Sequence, residues 1–176
     1  GQVDHLVLDE AEAALPAFIA DLEKGSPKKR YRAQEYPDIR RSPIPMWGLV
    51  DTRRYASLNI QYSRGCPFNC EFCNITALFG HRPRVKSAEQ VIRELDALYR
   101  LGWRAGIFFV DDNFIGNKRH IKESLLPALI EWRKDKVGVT FNTEVSINLA
   151  DDEEILQVMR DVDFRYVFIG IESADE

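Results

Sequence analysis

The run Ala-Gly-Ile-Phe-Phe-Val over 105–110 limits the fold more than any other stretch of the chain. It is too short for a buried helix and lacks the alternation of a strand with one wet face. A strand covered on both faces fits it, and such strands belong to parallel sheets whose crossover helices pack on the faces. The flanking sequence agrees. Before it, Val91, Leu95, Leu98 and Leu101 recur at helical spacing. Ser87 opens that helix with Gln90 as its capping-box partner, and Gly102 stops it. After it, Ile121, Leu125, Ala128, Leu129 and Trp132 mark a helix over 117–134, which Pro127 should kink or restart. Residues 58–63 (LNIQYS), 137–143 (VGVTFNT) and 166–171 (YVFIGI) read as three more strands. Asp151 and Glu154 form a second capping box, ahead of Ile155, Val158, Met159 and Val162. The order from residue 58 is β-α-β-α-β-α-β. It predicts an α/β fold with a parallel sheet and right-handed crossovers.

Residues 1–25 hold one short strand (5–8) and one helix built on Leu15, Phe18, Ile19 and Leu22, ended by Gly25. Pro16 suits that helix only within its first turn. One strand and one helix cannot enclose a core, so this piece reads as the tail of a preceding domain. Residues 26–57 carry Pro27, Pro37, Pro43 and Pro45 with the basic clusters Lys28-Lys29-Arg30 and Arg40-Arg41. They read as a connecting segment. The net charge of −4 gives no overall basic field for nucleic acid. No apolar run has the length of a spanning helix, and residues 1–10 have no basic region followed by an apolar one.

The chemistry-bearing residues gather after the strands. Cys66, Cys70 and Cys73 follow the first strand from residue 58, spaced C-x3-C-x2-C, and they are the only cysteines. Asp111, Asp112 and Asn113 follow the second, Glu144 and Ser146 the third, Glu172 and Ser173 the fourth. Chemistry in parallel barrels sits beyond these strand ends. Three thiols cannot all pair internally, and their clustering favours a metal in a reduced, cytoplasmic setting over a disulfide framework. Structural zinc takes four ligands; His81 is the candidate fourth, for a Cys3His site in a zinc-stabilised RNA-binding module. An iron–sulfur cluster is the stronger reading, because three thiolates on a four-iron cubane leave one iron open. The carboxylates of Asp111, Asp112, Glu144 and Glu172 would meet at one mouth, a match for a ligand with an ammonium, a sulfonium and ribose hydroxyls. No G-x-G-x-x-G or G-x-x-x-x-G-K occurs.

C-x3-C-x2-C with Phe72 just before its last cysteine, on the loop after the first strand of such an array, resembles the radical S-adenosylmethionine superfamily. The resemblance covers 58–176. It implies a partial (β/α) barrel with four βα units of an expected six. It implies a [4Fe–4S] cluster on Cys66, Cys70 and Cys73, with S-adenosylmethionine chelated by the fourth iron and cleaved by one electron to a 5′-deoxyadenosyl radical. Phe72 would lie near the adenine. Asp111-Asp112-Asn113 stands where many members carry Gly-Gly-Glu, which receives the methionine amino group. Glu144, Ser146, Glu172 and Ser173 would contact the ribose or the methionine moiety. "DDNF" (111–114) and "GIES" (170–173) further resemble the branch with an N-terminal cobalamin-binding domain, which includes hopanoid methylases and Mg-protoporphyrin ester cyclases. The D-x-H-x-x-G signature of that domain is absent; Asp4-His5 does not match it. The implied protein is a methyltransferase or cyclase acting on a hydrophobic or tetrapyrrole-like small molecule. Cobalamin would come from an upstream domain and electrons from a flavodoxin or ferredoxin, and the chain would be a fragment of it. A cobalamin-independent methylthiotransferase is the alternative within the superfamily.

Overall fold

A computed structural model describes residues 2–172 and divides the chain into two compact units, Gly1–Ser42 and Pro43–Glu176. In the first unit, β1 (Leu6–Leu8) and β2 (Arg30–Arg32) pair in parallel, joined through α1 (Ala11–Glu23). Gly25, at φ +70°, closes α1: its amide bonds the Leu22 carbonyl and the Ser26 amide bonds that of Asp21. These two bonds make a Schellman motif. α1 begins earlier than its apolar spacing indicates, so Pro16 lies inside the helix rather than in its first turn. Strand β2 falls within the stretch read as a connecting segment. Tyr31 holds it there, buried, with its hydroxyl donating to Asp21 at 2.9 Å and accepting the Lys28 amide at 2.7 Å. The Nδ1–H of His5 donates to the Lys28 carbonyl at 2.8 Å.

The second unit contains β3 (Ser57–Ile60), the short antiparallel pair β4 (Ser63–Arg64) and β5 (Arg84–Val85), and then β6 (Gly106–Phe109), β7 (Thr140–Glu144) and β8 (Phe164–Phe168). Strands β3, β6, β7 and β8 form one parallel sheet in that order. Its helices are α2 (Ile75–Phe79), α3 (Ala88–Arg100), α4 (Lys118–His120), α5 (Leu126–Arg133) and α6 (Glu153–Asp161). Ser87 caps α3 by accepting the Gln90 amide at 3.2 Å. Asp152, one residue later than the expected Asp151, caps α6 by accepting the Ile155 amide at 3.3 Å. Pro127 marks a restart, as expected: α5 begins at Leu126 with the proline in its first turn. A π-helical turn, Ile121–Leu125, precedes it, and the Leu126 amide bonds the Ile121 carbonyl. The wider turn absorbs the amide that Pro127 lacks and leaves the proline in the first turn of α5, where it is tolerated.

One face of the sheet is the core. Leu58, Ile60, Ile107, Phe109 and Phe141 pack with Leu95, Leu98, Leu125, Leu129, Ile155 and Met159. Phe109 is fully buried, with ring centroids 5.0 Å from Phe114, 5.4 Å from Phe141 and 5.5 Å from Phe164. The other face is more open: Asn59, Phe108, Asn142 and Tyr166 form a cross-strand row, and Tyr166 is 75% exposed. The 105–110 run was expected to be covered on both faces. Ile107 and Phe109 are buried, but Gly106 and Phe108 are only half-buried, because the helices lie on one side of the described sheet. Replacing Ser87 with alanine should cost about 1 kcal/mol in chemical denaturation, since it orphans an amide in the first turn of α3.

Candidate active site

The cysteine loop leaves β4 directly, beyond the C-terminal end of β3. Its shape follows from its glycines and its neighbours. Gly65 has φ +97°, and a Cβ there would lie 2.8 Å from the Gly80 carbonyl oxygen, too close for any side chain. The Cys66 amide bonds the same carbonyl at 3.3 Å. Gly116 brings a second loop in: a Cβ on it would meet Pro83 Cγ at 3.1 Å and Pro67 Cδ at 3.3 Å. All three cysteines are free thiols; Cys66 and Cys73 are half-buried and Cys70 is exposed. Burial pushes the Cys66 thiol pKa up. The Phe68 amide opposes this, the neighbouring Cys70 and Cys73 reinforce it, and a hydrogen bond with the Asn113 side chain opposes it again.

The acidic pair does not face an open mouth. Asp111 is 1% exposed, with Oδ2 accepting the Tyr62 amide at 3.2 Å and Oδ1 accepting the Ser63 amide. Burial pushes its carboxyl up to about 7, against the lowering effect of those donors. Asp112 is half-buried, and its Oδ2 accepts the Gly65 amide at 3.0 Å. Burial raises its pKa, and the Gly65 amide and the Arg64 charge hold it down. Asn113 is buried and spans to the third strand end: its Nδ2 donates to Ser146 Oγ at 3.0 Å, and its Oδ1 accepts the Ser146 amide at 3.3 Å. Ser146 Oγ donates onward to Asn148 Oδ1 at 2.5 Å.

So Cys66, Asp111, Asp112, Asn113 and Ser146 form one connected group. Backbone amides at the start of the cysteine loop take up the two aspartates that were expected at one mouth with Glu144 and Glu172. Glu144 is exposed at the end of β7, Glu172 is exposed at φ +64°, and Phe72 is 70% exposed. Ser173 lies outside the described residues. Among the described residues, no three or more His, Cys, Asp or Glu side chains are grouped as a single-ion site would need, Cys66, Cys70, Cys73 and His81 included.

Sequence reasoning passed over Tyr62 and Lys86. Tyr62 is fully buried, and its hydroxyl meets His120 Nδ1 at 2.6 Å. Lys86 pairs with Glu94 at 2.6 Å, both side chains buried. The signal for the second pair was a lysine and a glutamate eight residues apart, one just before the Ser87 cap and one on the apolar face of α3.

The profile of the radical SAM superfamily matches residues 60–176. An uncharacterized methyltransferase of Synechocystis sp. is 50% identical over 174 residues, which cover 98% of this chain and 32% of that protein. The hopanoid C-2 methylase of Rhodopseudomonas palustris is 40% identical over 178 residues, covering 98% of this chain and 33% of the methylase. The solved structure of the cobalamin-dependent S-adenosylmethionine radical enzyme OxsB, with aqua-cobalamin and S-adenosylmethionine bound, aligns with a TM-score of 0.73 at 20% identity, over 94% of this chain and 27% of OxsB. This chain spans about a third of the length of the two curated relatives. The profile match takes in the cysteine loop and runs through the strands that follow it, and on that match the chain belongs to the radical SAM superfamily.

Proposed function

We propose that the protein is a radical S-adenosylmethionine enzyme in which Cys66, Cys70 and Cys73 hold a [4Fe–4S] cluster, and that it methylates an unactivated carbon of a hydrophobic small molecule. The observation that carries the reading is the loop itself. Three free thiols sit on one short segment outside the packed core, and its backbone is fixed by Gly80, Asp111 and Asp112. That donor set fits a cluster with one iron lacking a protein ligand. When bound, the cluster supplies the electron that cleaves the C–S bond of S-adenosylmethionine.

The chain's own residues would bind and orient that substrate. Phe72, on the cysteine loop and largely exposed, has a ring face available to the adenine. Glu144, Glu172 and Ser173 follow the third and fourth strands, where they would meet the ribose and the methionine moiety, with Ser146 held in place by Asn113. Asp111 is left out of this set, because both its oxygens already accept amides. Methylation rests on the similarity to the hopanoid C-2 methylase and the Synechocystis methyltransferase. Cobalamin enters through the relatives alone: residues 1–176 carry no D-x-H-x-x-G, and His5 Nδ1 is committed to the Lys28 carbonyl. A flavodoxin or ferredoxin as electron donor and a cytoplasmic setting complete the proposal. No helix of the described residues is long and apolar enough to cross a membrane.

The test is anaerobic reconstitution of the full-length protein, followed by S-adenosylmethionine turnover under a chemical reductant. A bound cluster with no cleavage of S-adenosylmethionine overturns the reading. Within it, Glu172→Ala should weaken S-adenosylmethionine binding roughly tenfold or more, as expected for a lost hydrogen bond involving a charged group. Iron content should stay unchanged; equal loss of both would make Glu172 a structural residue.

A further inference from the structure

We propose that Asp111-Asp112-Asn113 is a clasp that docks the cysteine loop onto the end of β6 and fixes Cys66 before any cluster is bound. The proposal rests on reading Cys66, Cys70 and Cys73 as the cluster ligands. Its basis is a run of contacts in matched order. Asp111 accepts the amides of Tyr62 and Ser63, and Asp112 accepts that of Gly65, the residue before Cys66; Asn113 comes next and is the side chain that acts on the Cys66 thiol. Each successive side chain meets the loop farther along its sequence. Within a strand, consecutive side chains point to opposite faces. Three in a row can grip one segment only where the chain has left the strand, and β6 ends at Phe109.

The chemistry suits the task. Strand β3 ends at Ile60, so the amides beyond it need acceptors. Above the pKa that burial gives it, the Asp111 carboxylate only accepts, and a bond between a charged group and a backbone amide is among the stronger ones available. The third member is braced in turn, since Asn113 holds Ser146 through two hydrogen bonds and Ser146 holds Asn148. The segment after β7 thereby supports the residue that follows Asp112. A loop fixed this way has lost its conformational freedom in advance, and cluster binding does not have to order it. The triplet then acts on the cysteines as a set of positioning residues.

Two variants of the full-length protein test this. Asp111→Asn keeps the shape and removes the charge; Asp112→Asn does the same at a half-buried site whose loss spares the core. Hydrogen exchange in the cluster-free protein should rise roughly tenfold or more over 61–73 in either variant, with α3 and β7 unchanged. Iron in the reconstituted variants should leave faster to a chelator. Unchanged exchange at 61–73 with weakened S-adenosylmethionine binding would make the triplet a ligand site and overturn the clasp. A uniform rise in exchange across the sheet would overturn it too, as general core damage. A wild-type protein that takes up no iron would instead sink the cluster assignment, while the exchange pattern would still report on the clasp.

Discussion

Cys66→Ala is expected to strip the full-length protein of nearly all its cluster iron while leaving its fold intact. Reconstituted wild-type protein should carry about four irons per chain and a broad absorption near 400 nm, and the variant about none. The structure says why the loss should be clean. The Cys66 side chain lies outside the buried core cluster, and the loop's backbone bonds to Gly80, Asp111 and Asp112 involve no sulfur. The circular dichroism and the unfolding midpoint of the cluster-free protein should therefore match wild type. One tightly bound zinc per wild-type chain, lost on the same substitution, would refute the assignment. An unfolded Cys66→Ala protein would refute the claim that the loop is ordered without the metal.

Local chemistry made much of this molecule legible in its sequence. The unbroken run at 105–110 is β6, Ser87 caps α3, and Gly25 ends α1 at positive φ, each fixed by neighbours within a few residues. The cysteine spacing pointed to the superfamily for the same reason. What stayed hidden depends on partners far along the chain. Strand β2 has only Tyr31 as an apolar residue, and it is a strand because β1 lies beside it, a pairing across 24 residues. The π-turn before Pro127 is one of several ways a helix absorbs a proline, and packing selects among them. Asp111 and Asp112 read as ligand groups because acidic residues after a buried strand commonly are. The amides they hold belong to residues nearly fifty positions earlier, and no periodicity reports that. Tyr166 and Phe168 looked like interior strand residues, yet they are exposed on the open side of the described sheet.

The same dependence on distant partners produces the second large effect, at Lys86. Its ammonium meets Glu94 Oε1 at 2.6 Å, with the two side chains 7% and 1% exposed. Glu94 Oε2 has no hydrogen-bond partner among the described residues. Burial pushes the Glu94 pKa up, and Lys86 is the main influence holding it down. Lys86→Met should therefore cost about 3–5 kcal/mol at neutral pH, because it leaves a buried carboxylate uncompensated. The sign with pH follows. Without the cation, the folded-state pKa of Glu94 rises further above its unfolded value. The penalty is then complete above the folded pKa and fades as pH falls through it toward the unfolded value. Urea denaturation of the variant should accordingly show its deficit shrinking on acidification. Lys86→Met with Glu94→Leu should recover most of the loss at neutral pH, since apolar replacements of a buried pair are often neutral or better. A double variant as unstable as the single one would mean that Lys86 acts through packing of its aliphatic stem. The pair also bears on the site: the Lys86 amide donates to the Tyr62 carbonyl at 2.9 Å, and the Tyr62 amide is one of the two that Asp111 holds. A loosened Lys86 should thus raise hydrogen exchange at Tyr62 and Ser63 before the sheet as a whole opens, linking the anchorage of α3 to the posture of the cysteine loop.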